Sequence, residues 1–326
     1  MGATEENEQK PEDKPEKLGD SLREGLRRLF YRANKTSGGV LGVIRHASTN
    51  FALMRGPEAA AGLSYYALFS IFPVLIAIIS IGSSFVSVEV VQDRILQALQ
   101  EIIPISATFI HNLVSGVLEQ GRSVTILALI ALIWSASNVF DKLIRNVNRA
   151  FPQGQKPGFL ENRAMAVVMV LVLILLFVGA LFVDTIKGFL DLDKILIDGV
   201  VFTQTSYFAW TRWLLPLLIK FLFFLAVYGW VPLHADVLFQ AKLIGALVAA
   251  SLWELTTRGL GWAISAGFAN YEVIYGSLSS IIYLLTWLYL TGFIIFWGAH
   301  LTHAINYQMK SEKEQAVNEI EVSEND

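Results

Sequence analysis

A run of 30 residues without a charged side chain, residues 59–88, constrains the fold of this chain more than any other feature. Since about 20 apolar residues suffice for a helix to cross the hydrocarbon of a bilayer, the run predicts a transmembrane helix. Hydrophobic residues make up 54% of the 326 residues, and the charged residues are concentrated towards the two ends. A purely soluble enzyme, a disordered chain and, at a net charge of −3, a strongly basic nucleic-acid-binding protein are therefore excluded.

Five further apolar segments follow the first, which gives six predicted transmembrane helices within a domain of residues 57–308. The predicted spans are residues 59–88, 123–140, 164–183, 213–235, 243–261 and 273–303. Lys and Arg residues stay on the cytoplasmic side of a membrane, and 18 of them flank the spans on one side against six on the other. Both termini are then cytoplasmic, as an even number of spans requires. The predicted fold is all-α: a polytopic six-helix transmembrane bundle with amphipathic helices on its outer face.

The segments outside the spans are polar or amphipathic. Residues 1–20, rich in Glu, Lys and Pro, are predicted to be a disordered cytoplasmic segment, residues 21–56 a helical interfacial arm, and residues 309–326 an acidic cytoplasmic tail. In residues 89–119, apolar residues recur every three or four positions on both sides of Pro104, which predicts two amphipathic helices. These helices either lie on the lipid interface or cap the bundle. We favour the cap, because interfacial helices tend to be basic and this segment has few cations.

Three charged residues fall inside predicted spans: Lys220, Glu254 and Arg258. Charge inside a bilayer costs about 3 kcal/mol on insertion scales, so each is a candidate functional residue. Glu254 and Arg258 have the four-residue spacing of a helical ion pair, and the Lys220 side chain is long enough to reach Glu254 or an interface. The structural alternative is an ion pair that neutralises the charges. The functional alternative is a polar cavity, lined by all three, that binds an anionic or zwitterionic substrate.

Two prolines lie in spans that occupy matching places in the two three-helix halves. Pro73 lies inside the first span and Pro216 near the start of the fourth. Prolines free backbone carbonyls, which at membrane depth is tolerated mainly beside protein or a wet cavity. An inverted repeat is therefore one alternative for the bundle. We do not favour it, because the sequences of the two halves show no residue similarity.

The end of the second span carries three basic residues on one helical face, Lys142, Arg145 and Arg149. Such a cluster anchors a helix at the cytoplasmic surface, and the alternative is a site for a lipid headgroup or a phosphate. The five histidines lack the acidic neighbours of a zinc site, the chain has no cysteine, and the motifs of hydrolases and nucleotide-binding proteins are absent from the sequence. We expect the histidines to pack at interfaces, and we predict no metal, cofactor or catalytic residue.

Three sequence motifs, in order along the chain, are similar to those of a known family. They are residues 56–73, which contain Tyr65 and Pro73; residues 134–151, which begin with Trp134 and Ser135 and contain Asn148; and residues 275–298, which contain Tyr275, Gly276, Trp287 and Gly298. Together they resemble the YihY/virulence factor BrkB family of inner-membrane proteins over about residues 40–308. The resemblance implies a six-span protein of the bacterial cytoplasmic (inner) membrane with both termini in the cytoplasm.

The resemblance also implies a role in the cell envelope. Members of the family have been linked to serum resistance and to the export of envelope lipid or lipopolysaccharide. Many carry a ribonuclease label, which we regard as a misassignment because a metal-dependent nuclease needs clustered His and Asp ligands. This chain departs from the family in one place: it has His300 where the family tends to have Glu in Gly-Ala-Glu-Leu.

Two functional hypotheses follow, and a third is less favoured. The first is a transporter or flippase-like protein that moves an envelope lipid or an anionic amphiphile. The alternative is a non-transporting membrane scaffold involved in envelope integrity, and an enzyme acting within the membrane comes third. Membrane lipids are the expected partners and nucleic acid is not. The sequence leaves the substrate, the coupling ion and the oligomeric state open.

Overall fold

A computed structural model describes residues 39–102, 111–112, 114–116, 126–152, 158–181, 196–197, 200–201, 211–232, 235–267 and 275–324. These residues are helical apart from turns and one antiparallel pair of two-residue strands, β1 (Leu196–Ile197) and β2 (Val200–Val201). The helices are α1 (Val40–Leu53), α2 (Gly56–Gly82), α3 (Val88–Ile102), α4 (Ile126–Arg149), α5 (Phe159–Leu181), α6 (Thr211–Trp230), α7 (Phe239–Ser265), a 3-10 turn (Gly276–Leu278) and α8 (Ser279–Glu324). The prediction of a helical protein is confirmed, with the strand pair as a small addition.

The chain divides into a unit of residues 1–46 and a larger unit of residues 47–326. Of the first unit, the structure describes the start of α1. Within the second unit, α2 packs against both α4 and α8, α4 packs against α5, and α7 packs between α8 and α6. Neighbouring helices therefore follow the order α5, α4, α2, α8, α7 and α6.

Each of the six predicted spans overlaps one of these helices. Two helical segments in the described part of the chain, Gly56–Gly82 and Ser279–Ala316, are long and apolar enough to cross a membrane, and Leu217–Trp230 is a shorter apolar segment. The six-span bundle therefore stays a prediction beyond these two segments. The last helix continues through the predicted acidic tail to Glu324. Residues 1–38, and with them the predicted disordered segment and half of the arm, lie outside the described residues.

Helix α2 begins and ends at specific local features. Arg55 precedes it with φ 57° and ψ 43°, which is the left-handed region. The Gly56 backbone lies so near the Phe51 ring that an added Cβ on Gly56 would be 2.1 Å from it. The helix continues through Pro73 without interruption. It ends at Gly82, six residues before the predicted end of the span, where the Ser83 hydroxyl donates to the Ser80 carbonyl at 3.3 Å.

The amphipathic pattern after the first span folds as α3, which lies against α2. Val91 and Ile95 are fully buried and pack in one cluster with Leu75 and Ile78 of α2. This burial favours a helix that caps the bundle and not one that lies on the lipid interface, because an interfacial helix would turn these side chains towards lipid. Pro104 and the residues around it, 103–110, lie outside the described residues.

Small residues allow close approach of α8 to its neighbours. A Cβ on Gly292 would lie 3.4 Å from the Ala60 backbone of α2, and one on Gly245 of α7 would lie 1.9 Å from the Thr302 hydroxyl of α8. Helix backbones that approach each other over small side chains gain dispersion contacts. Such packing drives helix association in a membrane, where the lipid is as apolar as the helix surface and the hydrophobic effect contributes little. The interfaces of α8 with α2 and α7 are therefore closely packed.

Candidate functional site

The three charged residues from the predicted spans meet on one carboxylate. Lys220 of α6 donates from Nζ to Glu254 Oε2, and Arg258 of α7 donates from Nε to Glu254 Oε1 at 2.5 Å. We refer to Lys220, Glu254 and Arg258 as the charged triad. Two cations on one carboxylate leave the triad with a formal charge of +1.

The charged triad lies in the middle of its helices. At a rise of about 1.5 Å per residue, Lys220 is about 15 Å from the end of α6 at Trp230, and Glu254 is about 22 Å from the start of α7. The Lys220 and Glu254 side chains are 24% and 26% exposed, whereas that of Arg258 is 56% exposed. A ligand could therefore reach the triad from the side of Arg258.

Aromatic rings pack around Trp253, the residue that precedes Glu254 on α7. Trp253, next to Glu254, packs with ring centroids 5.4 Å from Phe224 and 6.3 Å from Trp287. The Trp287 Nε1 and the hydroxyl of Thr257, which lies about one turn from Glu254 on α7, are buried without a hydrogen-bond partner among the described residues. Buried polar atoms are almost always hydrogen-bonded, so these two are unusual.

A second polar region lies where α2 begins and α4 ends. It is a pocket of about 420 Å³, which we call the basic pocket, and its charged and aromatic lining residues are Arg55, Glu58, Tyr66, Lys142, Arg145 and Arg149. Four cations against one carboxylate give the lining a formal excess of three positive charges. The sequence placed Lys142, Arg145 and Arg149 together as headgroup candidates, and the structure adds the contribution of α2.

The cations of the basic pocket are held by different partners. Arg55 donates to Glu58 at 3.3 Å, Arg145 donates to the Asp141 carboxylate at 3.0 Å, and Lys142 Nζ lies 5.0 Å from the centroid of the Tyr66 ring. Within the residues that the structure describes, neither Lys142 nor Arg149 forms a salt bridge. These two cations therefore remain available to an anion.

A buried polar network holds α5 against α4 close to the basic pocket. Arg163, only 7% exposed, donates to Asn138 Oδ1 at 2.9 Å and to the Trp134 carbonyl at 2.7 Å, and its guanidinium lies 3.8 Å from the centroid of the Trp134 ring. Asn162, also buried, donates to the Asp141 carboxylate. The sequence did not single out Arg163, Asn162 or Arg55, because no pattern distinguishes them from the other polar residues near the ends of the predicted helices.

The other family-motif residues are spread along the bundle. Three of them, Tyr65, Ser135 and Tyr275, are exposed, and the Tyr65 ring centroid lies 4.8 Å from that of Phe69. Pro73 lies within α2, Trp287 is buried, and Gly276 has φ +52° at the turn before α8. Asn148 donates to the Val231 carbonyl at 3.2 Å, and Gly298 faces the hydroxyl of Tyr228. Asn148, Gly276 and Gly298 support turns or helix contacts, and Trp287 packs against Trp253, the sequence neighbour of Glu254.

The two histidines of α8 pack against aromatic rings. The centroid of His300, which is buried, lies 5.9 Å from that of Phe51, and the centroid of His303 lies 5.8 Å from that of Phe151. No group of three or more acidic or histidine side chains arranged to hold a metal ion occurs in the described residues. His46 lies on α1, His111 in a short described segment, and His234 outside the described residues.

Two helical segments in the described residues are long and apolar enough to cross a membrane, and similar proteins are named membrane proteins, so this chain is a membrane protein. The chain belongs to the family described as virulence factor BrkB, whose model matches residues 47–320. No solved structure matches the chain.

Similar proteins come from several bacteria. The chain is 30% identical over 256 residues to a UPF0761 membrane protein of Pseudoalteromonas translucida, with 76% of this chain and 80% of that protein covered. It is 26% identical to a UPF0761 membrane protein of Aeromonas salmonicida, with 85% and 96% covered. It is 24% identical to the ribonuclease-like protein YfkH of Bacillus subtilis, with 82% and 96% covered.

Proposed function

We propose that this protein is a transporter or flippase-like protein that moves an anionic or amphiphilic envelope component across the bacterial cytoplasmic membrane. In this proposal it crosses the membrane six times, has both termini in the cytoplasm and is not an enzyme. The proposal goes beyond membership of a membrane-protein family, and one observation carries it: the charged triad in the middle of α6 and α7.

The triad suits an anionic substrate because it holds more positive than negative charge. Lys220 and Arg258 share the single carboxylate of Glu254, so an incoming phosphate or carboxylate can bind the exposed Arg258 without leaving Lys220 unpaired. Charge in the hydrocarbon region is costly, and residues that carry it commonly mark a substrate path. The buried Thr257 hydroxyl and Trp287 Nε1 add polar atoms that have no hydrogen-bond partner among the described residues.

A membrane scaffold is the second candidate. The close packing of α8 supports it, since Gly298 and Gly245 leave no space for an added methyl group and Gly292 leaves little. A rigid centre is what a scaffold requires.

Reconstitution in vesicles tests the proposal. We expect the wild-type chain to move a fluorescent anionic lipid between leaflets, and the triple variant Lys220→Met, Glu254→Gln, Arg258→Gln to lose about tenfold or more of the rate, because charge-assisted hydrogen bonds to the substrate are lost. The variant carries no net charge at the site, so insertion should not suffer.

The control is an ion pair outside the bundle. Asp236→Asn with Lys310→Met removes the 2.5 Å contact between Lys310 Nζ and Asp236 in the segment before α7. This double variant should transport at the wild-type rate. A triple variant that is well expressed and fully active would refute the role of the charged triad.

A further inference from the structure

An apolar cavity of about 300 Å³ lies between α2, α3, α4 and α5, beside the basic pocket. Its lining includes Ser70, Val74, Ile78, Leu99, Phe140 and Leu173. A cavity lined in this way is suited to a hydrocarbon chain, because it offers dispersion contacts and almost no polar partner.

The basic pocket and the apolar cavity adjoin on both helices. On α2, Gly62 and Tyr66 line the pocket, and Ser70, Val74 and Ile78 line the cavity. Residues spaced by four form one continuous ridge on a helix, so these five follow a single path along α2. The two spaces, which we together call the cleft, therefore follow one another along one ridge of α2.

The same continuity holds on α4. Lys142 lines the basic pocket and Val139, three residues earlier on the helix, lines the apolar cavity. Residues three apart on a helix are neighbours on one face. The change from charged to apolar lining thus occurs within one turn of α4.

The length of the cleft matches half a bilayer. From Tyr66 to Ile78 the ridge on α2 is about 18 Å long at about 1.5 Å per residue. One leaflet contributes about 15 Å to a hydrocarbon core of about 30 Å. An acyl chain that starts at the basic pocket would therefore fill the cavity.

We infer that the cleft between α2 and α4 binds one anionic phospholipid, with its phosphate in the basic pocket and one acyl chain in the apolar cavity. Charge complementarity selects this occupant, since the lining has three positive charges in excess, or two when Asp141 beside Arg145 is counted, and basic pockets between transmembrane helices bind anionic headgroups. The start of α2 adds to the attraction, because the N-terminal end of a helix favours negative charge. This site is separate from the charged triad and does not depend on transport.

Lipid titration of the full-length chain tests the site. The purified protein in an uncharged detergent is titrated with phosphatidylglycerol and with phosphatidylcholine, and bound lipid is counted by native mass spectrometry. We expect one tightly bound phosphatidylglycerol. The double variant Lys142→Gln, Arg149→Gln should weaken its binding about 25-fold, because each cation removed costs about fivefold in affinity.

Matched variants separate the headgroup from the chain. Lys310→Gln removes a cation of α8 outside the cleft and should leave binding unchanged, while Lys142→Arg with Arg149→Lys keeps both charges and should retain most of it. Ala98→Phe, which fills part of the apolar cavity from α3, should weaken the long-chain lipid but not a dihexanoyl phosphatidylglycerol.

Three results would overturn the proposal. One is equal binding of phosphatidylglycerol by the wild type and by a double variant that has the wild-type unfolding temperature. Another is equal binding of the zwitterionic lipid. The third is binding of glycerol phosphate as tight as that of the lipid, which would leave an anion site without a lipid. If the wild-type protein binds phosphatidylglycerol at this site but moves no lipid across vesicles, the proposed function is refuted and the lipid site is not.

Discussion

Arg163 is an arginine that the fold buries almost completely. Its two hydrogen bonds to Asn138 and to the Trp134 carbonyl, together with the stacking on the Trp134 ring, tie the first turns of α5 to α4. Arg presents several donors in a planar fork and stacks on aromatic rings, which Lys cannot do. The geometry around Trp134 therefore requires a guanidinium and not simply a positive charge.

We predict that Arg163→Lys lowers the free energy of unfolding by about 2–3 kcal/mol, because a charge-assisted hydrogen bond and the stacking are lost in a buried site. Thermal unfolding of the purified protein in detergent measures the effect. Lys313→Ala, at an exposed position of α8, should leave the unfolding temperature unchanged. An Arg163→Lys protein as stable as the wild type would contradict the stated role of the fork.

Gly298 is required by the approach of α6 to α8. A Cβ there would lie 2.1 Å from the hydroxyl of Tyr228, which is fully buried and donates to the Ile295 carbonyl at 3.1 Å. A position that the family resemblance marks thus has a packing explanation.

Gly298→Ala should destabilise the protein by about 1–3 kcal/mol through overpacking. Gly259→Ala is the control, since an added Cβ meets nothing within 4 Å there and alanine favours a helix. Adding Tyr228→Phe to Gly298→Ala should restore part of the stability, because it removes the clashing oxygen. The explanation fails if unfolding temperatures of the two glycine variants are the same.

At this scale the sequence predicts part of the site. It identified Lys220, Glu254 and Arg258, because charge in an apolar run stands out and a four-residue spacing implies contact. It also found Lys142, Arg145 and Arg149, since they share a helical face. It missed Arg55 and Arg163, because their roles depend on a left-handed backbone and on a neighbouring helix, neither of which a sequence pattern contains.

Among the elements, the start of α2 is strained. Arg55 is the one residue other than glycine with positive φ among the described residues, and the left-handed region costs a residue with a Cβ about 1–2 kcal/mol. Arg55 lines the basic pocket and donates a hydrogen bond to Glu58 there. The sequence predicted an arm of residues 21–56, and the structure separates α1 from α2 at Arg55.

The segment between α6 and α7 is fastened to α8. Asn306, which is buried, accepts from the Leu238 amide at 2.8 Å and donates to the Asp236 carbonyl at 3.2 Å. Lys310, one turn further along, donates to the Asp236 carboxylate at 2.5 Å. This hydrogen bond, with the charge of Lys310, holds the pKa of Asp236 below its ordinary value of 3.8.

The lowered pKa of Asp236 gives a pH dependence of known sign. A carboxyl whose pKa is lower in the folded state stabilises the fold above its ordinary pKa, and that contribution is lost as the pH falls through the folded value. Asp236→Asn should therefore lower the unfolding temperature slightly at neutral pH and have no effect at a pH well below 3.8. Unfolding temperatures over this pH range, with Lys310→Met as a second variant, test it. A difference that persists at low pH would contradict the ion pair.

The whole molecule is predicted to cross the membrane six times. The sequence supports this through its apolar runs and through the distribution of Lys and Arg, while two segments of the described structure meet the length and apolarity for a span. Sequence patterns predict the positions of helices well, because a hydrophobic run depends only on residues close together in the chain. They do not fix which helices are neighbours, such as α2 beside α8, since that depends on contacts between residues far apart in the chain.

Cysteine labelling tests the six-span topology, and the chain has no cysteine of its own. Single substitutions are expected to react from outside at Ser87, Ser206 and Ala269, and from the cytoplasm at Gln155, Gln240 and Gln315. The measurement is labelling of intact cells with a membrane-impermeant maleimide, compared with labelling of lysed cells. Reaction of Gln315→Cys in intact cells would contradict a cytoplasmic C-terminus.

Movement of lipid by the purified protein is the most direct test of the central claim. Vesicles with and without the wild-type chain are loaded with fluorescent lipids of anionic and zwitterionic headgroups and with labelled small solutes, and the movement of each across the membrane is followed in time. We predict that the protein speeds the movement of an anionic lipid above that of the zwitterionic one and of the protein-free vesicles. No movement above the protein-free rate, for any compound in the panel, would contradict transport and favour the scaffold.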